Sequence, residues 1–448
     1  MALGLALRAP AAPAGRVEAI VVVAADQHSA YERTARLVGL VDQLKALHPG
    51  VPVAVLIDGD TFELGNAVAQ RTGGTIEFAM FRALAQRGPT VLNLGNHEPE
   101  FYDLAATVAK IRASGVAVIG GNAIDRATGK PFADAVTHVV LRSTIGAAPL
   151  TLAIVGVTTD RLATYRAAVR PSLDLADPVV WSQQNLPALL APAALPVVMS
   201  HAGLKADRGI LPLVPDGTLY IGAHDHLRLV QADAHAVYVH SGSWNAFASI
   251  ARLVRDEPSA RPHWEVEQVR LEGATADPAL AALIESTLAQ YLLPEDKVVL
   301  GRTAAALSPE DAARFAVEAV RRAAGADVAL VGATTFGGGL PAGAISRYAL
   351  DGCVRFDGTI HVAEIEGARL LRLLAHCNQG PDTPFAARTG ENLVATRAGE
   401  IVAGRTYRVA TTDWLAKNPA ANFGPEPIVF AAHPELRLKA VVSAALIR

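Results

Sequence analysis

Thr90-Val91-Leu92-Asn93-Leu94-Gly95-Asn96-His97-Glu98 (TVLNLGNHE) is the stretch from which the rest of the chain can be read. It starts as a short apolar run containing β-branched residues and ends abruptly in a polar tetrad. A buried strand that delivers polar groups at its carboxyl end has this form. The pattern recurs on both sides. Ala19–Ala25 leads into Asp26-Gln27-His28, and Val53–Ile57 into Asp58-Gly59-Asp60. Further on, Pro196–Met199 leads into Ser200-His201, and Leu219–Ile221 into Gly222-Ala223-His224-Asp225-His226. Val116–Ile119 and Leu152–Val157 also read as strands, while Tyr31–Leu47, Thr75–Gln86 and Phe101–Ala113 have helical periodicity. Strands alternating with helices predict an α/β layered domain. Ligand sites in such sheets lie beyond the carboxyl ends of the strands, so these distant motifs converge on one edge.

The converging side chains are Asp26, His28, Asp60, Asn96, His201, His224 and His226. They are oxygen and imidazole donors with no sulfur, a set suited to Mn, Fe, Zn, Co or Ni rather than to a thiolate site. Asp60 has two carboxylate oxygens with which to bridge two ions. Two ions about 3.5–4 Å apart polarise a phosphoryl group and activate a water between them. Asp26 and His28, like His224 and His226, are two residues apart, and at the end of an extended strand such pairs share a face. Gly59, Gly95 and Gly222 precede ligands and permit tight turns. A lone DxH or GD is common by chance; the ordered combination is not, and it holds five of the thirteen histidines in the chain. Asp58 and Asp225 alternate away from the ions and read as supporting residues. His240 follows a strand and stands at the edge of the set. His48, His138, His235, His263, His361, His376 and His433 lack any motif context and read as surface or hydrogen-bonded histidines.

The 448 residues are 51% hydrophobic and 19% charged with a formal net charge of -3, the composition of a folded chain of two domains. No basic patch suggests nucleic acid as a partner, and no apolar stretch reaches the roughly 18 residues that span a bilayer. Residues 1–17 read as a tail. Within it, apolar Met1–Leu7 and small, Pro-rich Ala11–Gly15 look like the end of a secretory signal without its basic region. Cys353 and Cys377 sit in no metal-ligand spacing and read as buried free thiols or one disulfide. The strand repeats stop near Leu271–Asp296, where Pro278–Leu292 reads as a helix. This places a metal-binding domain over 18–272, a linker helix over 273–296 and a second domain over 297–448. In that second domain Pro309–Ala323 reads as a helix and Asp327–Val331 as a strand, followed by Gly337-Gly338-Gly339.

The motif order resembles the 5′-nucleotidase family of calcineurin-like metallophosphoesterases. Two later stretches carry the narrower match: Gly337-Gly338-Gly339-Leu340-Pro341-Ala342-Gly343-Ala344-Ile345-Ser346, and Tyr407-Arg408-Val409-Ala410-Thr411-Thr412-Asp413-Trp414-Leu415. The resemblance covers roughly residues 18–440. It implies an α/β fold, an N-terminal four-layer αββα sandwich with a smaller α+β substrate-binding domain. It also implies two divalent metal ions, one held by Asp26, His28, Asp60 and His226, the other by Asp60, Asn96, His201 and His224. A hydroxide bridging the ions attacks phosphorus in a 5′-nucleotide or related small organophosphate. Asn96 and His97 contact the phosphoryl oxygens, and Glu100 stands where the family has an aspartate that orients the histidine. Export to the periplasm or cell surface is the family habit. In the second domain the resemblance points to Gly338, Gly339, Phe356 and Phe423 as substrate-binding positions. There the chain departs from the pattern. The asparagine and arginine that flank the family's glycine loop are missing, Asp357 follows Phe356 in place of asparagine, and Arg302 and Arg347 are the candidates for the lost phosphate grip. These departures leave open a cyclic nucleotide, another oxyanion ester, or a metal- and ligand-binding protein without turnover.

Overall fold

The computed structural model describes residues 15–144, 148–190, 194–377, 383–388, 392–418 and 426–447, with the side chains of 376 and 377 outside that description. Phe423, the signal-like stretch before residue 15 and the side chains of His376 and Cys377 therefore lie outside the described residues. The chain divides into two compact units. The first runs to Tyr291 except for Gly65–Ala67, and the second includes Leu292–Arg448.

Two six-stranded sheets form the centre of the first unit. In one, Arg16–Ala25, Val53–Asp58, Thr90–Asn93 and Ala117–Ile119 run parallel, and Phe247–Arg255 and His263–Arg270 extend the edge antiparallel. In the other, Leu150–Thr158, Leu195–His201, Thr218–Gly222 and Ala236–Ser241 run parallel between antiparallel edge strands Val136–Leu141 and Arg228–Ala232. The apolar runs explain the layering. Val21, Val23, Leu56 and Val91 of the first sheet pack against Ile154, Val197, Met199 and Ile221 of the second in one core. The alternate residues Ile20 and Val22 are equally buried on the opposite face, which helices Thr34–Leu47, Thr75–Ala85 and Leu104–Ala113 cover. Helix Pro178–Leu189 covers the second sheet. The unit is thus the αββα sandwich that the resemblance implied. Each fully buried aliphatic side chain contributes about 1.5–3 kcal/mol, so strands buried on both faces are strongly fixed in register.

The second unit is built on a mixed five-stranded sheet ordered Leu393–Arg397, Val328–Gly332, Thr406–Thr412, Thr359–Glu366, Ala431–Arg437. Ala329, Val331, Ile360 and Ala410 face one core, and Val328, Leu330, Ile365 and Val409 face another. Helix Pro309–Ala323 lies on the first of these faces through Ala312, Ala316, Val317 and Val320. Its bounds follow from its caps. Ser308 Oγ accepts the Asp311 N–H at 3.1 Å, Pro309 opens the first turn, and Arg321 and Arg322 close the last. Cys353 is a buried free thiol in this unit.

Candidate metal site

The motif loops do not prolong the strands they follow. Asp26, His28, Asp60, His224 and His226 have φ values of 47°, 46°, 53°, 79° and 56°, in the left-handed region that non-glycine residues avoid. This corrects the expectation that each pair shares a face as residues of an extended strand. The pairs are turned inward by left-handed backbone instead, at a cost of roughly 1–3 kcal/mol per residue. Glu98 holds two of the loops together. Its Oε2 accepts the N–H groups of Asp60 (3.0 Å) and Gly95 (2.6 Å), and its Oε1 accepts that of Thr61 (3.0 Å). The approach leaves no room for side chains. A Cβ at Gly95 would stand 2.3 Å from Asp60 Oδ1, and one at Gly59 would stand 2.5 Å from His201 Nδ1.

Two adjoining clusters of motif residues result, and His28 also groups with Glu63 and His97. In the first, His28 Nε2 lies 3.0 Å from His226 Nε2, and Asp26 Oδ1 lies 3.7 Å from the same nitrogen. In the second, His201 Nε2 lies 3.0 Å from Asp60 Oδ2, with His224 completing the group. Asp60 Oδ2 is also 3.8 Å from His28 Nε2, and Asp26 Oδ1 is 3.8 Å from His201 Nε2, so each carboxylate stands between the clusters. The His201 ring is fixed by its Nδ1, 2.8 Å from the Asp58 carbonyl oxygen. Asn96 is buried in the next loop, its Nδ2 bonded to Thr164 O at 3.4 Å.

These residues fit divalent cations. Asn96 Oδ1 is buried without a hydrogen-bond partner among the described residues, and an orphaned group of this kind marks a missing partner. Burial holds the His224 and His226 imidazoles well below their usual range, which keeps them neutral as ligands must be. At Asp60 burial opposes charge, yet His201, His97 and His28 hold its carboxyl well below the usual carboxylate range. The set is the hard-to-borderline one of the divalent ions named above.

His97 borders the clusters. Its N–H donates to Asp60 Oδ1 at 2.7 Å, and its Nδ1 lies 3.0 Å from Glu100 Oε1. Glu100 therefore reaches the histidine despite Pro99 between them. Burial disfavours the charged ring, but the carboxylates of Asp60, Glu100 and Glu63 outweigh it and raise the pKa to about 10. Asp58 accepts the Asn93 amide at 2.7 Å and Asp225 accepts the Leu204 N–H at 2.6 Å, so both brace loops. His240 sits behind the site, its Nε2 2.5 Å from Tyr238 Oη, against the position a Gly222 Cβ would take.

Three residues at the site escaped the sequence reading. Glu63, three positions after Asp60, has its carboxylate 3.4 Å from His28 Nδ1. Glu98 belongs to the quoted tetrad, but nothing in its type revealed that it would bind backbone. Trp244 packs its ring 4.6 Å from that of His28 and 5.3 Å from that of His226, on a left-handed backbone whose N–H donates to Asp26 O. The signal for Trp244 was its place just after the strand Ala236–Ser241.

The second unit presents its own candidates differently. Gly337 and Gly338 donate their N–H groups to Cys353 O (2.9 Å) and Gly352 O (2.8 Å). Gly339 packs against Leu307, whose carbonyl oxygen would stand 2.2 Å from a Cβ there. Phe356 is 37% exposed. Asp357 is taken up by the Arg437 guanidinium (2.9 Å) and the Lys439 N–H (3.0 Å). Arg347 Nε donates to Glu295 O at 3.2 Å.

Fold and site together define a class, an αββα unit with a candidate metal site at its strand ends, followed in the chain by a second unit built on a mixed sheet. Within that class the chain resembles the 5′-nucleotidases, and residues 297–421 match the family model described as 5′-nucleotidase, C-terminal domain. Among solved structures it is similar to a 5′-nucleotidase precursor from Thermus thermophilus, at 17% identity and a TM-score of 0.61 over 96% of each chain. It is similar to the sulfate thiohydrolase SoxB of the same organism, at 15% identity and 0.65 over 96% of this chain and 94% of that one. A 5′-nucleotidase from Candida albicans aligns at 11% identity and 0.61 over 95% of this chain and 97% of that one. No curated protein sequence matches. Among the described residues no helix is long and apolar enough to cross a membrane.

Proposed function

We propose that the chain is a two-metal hydrolase of small phosphate esters, with 5′-nucleotides as the first substrate class. One observation carries the reading: Asp60 and Asp26 stand between two adjoining imidazole clusters at the carboxyl edge of both sheets. One ion would be held by Asp26, His28, Asp60 and His226, the other by Asp60, Asn96, His201 and His224. Bound there, two divalent ions supply an activated water and polarise the phosphoryl group. The rest is done by the chain. The Asn96 side-chain amide would contact the phosphoryl oxygens. His97, placed beside the clusters, would donate to the charge that develops on the phosphoryl group or to the leaving oxygen. Glu100 fixes the ring through Nδ1. The Glu98 carboxylate keeps the Asp60 and Gly95 loops in register so that these groups arrive together.

A second substrate class is supported by the glycine loop of the second unit. Its Gly337 and Gly338 N–H groups are engaged by carbonyls, and the family's arginine is absent. An ester of another tetrahedral oxyanion would not need that grip, and the similar fold of the sulfate thiohydrolase accords with it.

The test is a hydrolysis screen of the Mn²⁺-loaded chain against nucleoside mono-, di- and triphosphates, cyclic nucleotides, an aryl phosphate and a sulfur oxyanion ester. Asp60→Ala serves as control and should lose bound metal and at least about 10²–10³ in rate, the scale of one lost transition-state contact. Turnover of 5′-nucleotides that disappears in the control supports the first reading. Turnover of the sulfur ester alone moves the substrate, and a metal-loaded chain that turns over nothing defeats the enzyme reading.

A further inference from the structure

Glu63 is in neither proposed ligand set, yet it stands between the metal ligands and the proton donor. Its side chain is 4% exposed. One oxygen, Oε2, faces two imidazoles at once, 3.4 Å from His28 Nδ1 and 3.6 Å from His97 Nδ1. The two rings meet edge to face, with centroids 4.8 Å apart. The carboxylate is held in place from its own backbone. The Glu63 N–H donates to Ser29 Oγ at 3.0 Å, and the Ser29 N–H donates to Thr61 O at 2.9 Å. Ser29 Oγ in turn donates to Glu77, itself bonded by Tyr31 Oη at 3.0 Å. The loop carrying His28 and the loop carrying Glu63 are thereby tied together.

The two nitrogens of His28 face different partners. Nε2 turns toward His226 and the first cluster, and Nδ1 toward Glu63. An imidazole that ligates a metal through one nitrogen gives the hydrogen of the other to an oxygen acceptor, and that acceptor sets tautomer and ring direction. At His97 the same carboxylate shares Nδ1 with Glu100, whose Oε1 lies 3.0 Å away. We propose that Glu63 is the positioning residue of this site, one carboxylate that orients a metal-ligating histidine and the proton-donating histidine together. The inference rests on the metal-hydrolase reading. It goes beyond it in joining the two halves of the site through a residue outside both ligand sets. Glu63 selects the tautomer of His28 that offers Nε2 to the ion. It also confines the His97 ring at Nδ1, beside Glu100.

The experiment uses the full chain, stripped with a chelator and titrated with Mn²⁺ by calorimetry, alongside kcat and KM on an aryl phosphate. Glu63→Ala should weaken the tighter Mn²⁺ event about 10–100-fold and lower kcat about 10²-fold with KM little changed, because an oriented proton donor acts in the transition state. Glu63→Gln keeps an oxygen acceptor and the volume. It should recover Mn²⁺ affinity to within a few-fold of the parent while kcat stays below it. Thermal melts of both variants check folding, and the Gln variant covers the case in which the Ala variant unfolds. Parental Mn²⁺ affinity in a folded Glu63→Ala chain, or no recovery in a folded Glu63→Gln chain, overturns the proposal. A parent chain that binds Mn²⁺ but hydrolyses nothing defeats the enzyme reading and leaves the calorimetric arm to decide on Glu63. A parent that binds no Mn²⁺ defeats both.

Discussion

Glycine-bearing loops follow strands in both units, and they dispose of their backbone N–H groups in opposite ways. In the first unit the N–H groups of Asp60, Thr61 and Gly95 all point at the single carboxylate of Glu98. The loops so fixed are free to aim side chains, and they aim Asp60, Asn96 and His97 at one place. In the second unit the N–H groups of Gly337 and Gly338 end on the carbonyls of Cys353 and Gly352, and Phe336 pairs with Val354 in an isolated bridge. That loop is sewn to the end of helix Arg347–Cys353. The first arrangement stabilises a set of converging side chains, the second stabilises the unit itself. On the proposed reading the chemistry belongs to the first unit, and the departures of the second unit from the family pattern bear on substrate selection.

The largest effect that sharpens this comparison is expected at Glu98. Glu98→Ala leaves three buried N–H groups without an acceptor, at about 1 kcal/mol or more each. The first unit should lose about 3 kcal/mol or more in a denaturant melt, and Mn²⁺ binding should weaken with it because Asp60 is no longer held. The counterpart Gly337→Ala places a Cβ 2.9 Å from Gly352 O. It should cost about 1–3 kcal/mol through overpacking and leave Mn²⁺ affinity unchanged. If Glu98→Ala binds Mn²⁺ as the parent does, the loops do not depend on their shared carboxylate and the comparison breaks.

Phe356 gives the next largest effect. Stacking a base on an aromatic ring is worth about 1–3 kcal/mol, so Phe356→Ala should raise KM for a nucleoside monophosphate about 10-fold or more and leave KM for an aryl phosphate within two-fold. Equal changes for both substrates would show that the second unit does not read the base.

Much of this was legible before any coordinates. The parallel strands are buried on both faces, so they stand out as unbroken apolar runs, and the polar motifs at their ends hold the side chains that meet in the candidate clusters. Helix Pro309–Ala323 was readable to the residue because Ser308, Pro309 and the closing arginines mark its ends. Helix Thr34–Leu47 starts three residues later than its periodicity suggests, since Tyr31 and Ser29 are drawn into hydrogen bonds with Glu77. The antiparallel edges were harder. Val136–Leu141 alternates between buried and exposed residues over a short span, which periodicity alone does not separate from a loop. Left-handed φ at Asp26, His28, Asp60, His224 and His226 had only a weak signal in residue type, because Asp and His enter that region more readily than most residues but need tertiary contacts to stay there. Glu63 and Trp244 were missed for the same reason, since their roles exist only once distant loops have met.

The smallest effect concerns how each unit keeps its carboxylates. In the first unit burial pushes the Asp225 carboxyl up to about 6. In the second, the hydrogen bond from Arg321 with support from Arg322 pulls Glu318 down to about 2 on a partly exposed helix face. A carboxyl whose folded pKa lies below its unfolded value of about 4.3 adds stability above that value, and the gain disappears as pH falls through the folded pKa. Solvent screens this group, so the contribution at pH 7 should stay below about 1 kcal/mol. Glu318→Gln should therefore melt slightly earlier than the parent at pH 7, and the gap should close between about pH 4 and pH 2. A gap that stays constant across that window would mean that Glu318 acts by packing rather than by charge. Helix Pro309–Ala323 would then owe nothing measurable to the charge of this ion pair, and would be held by the apolar face it lays on the sheet.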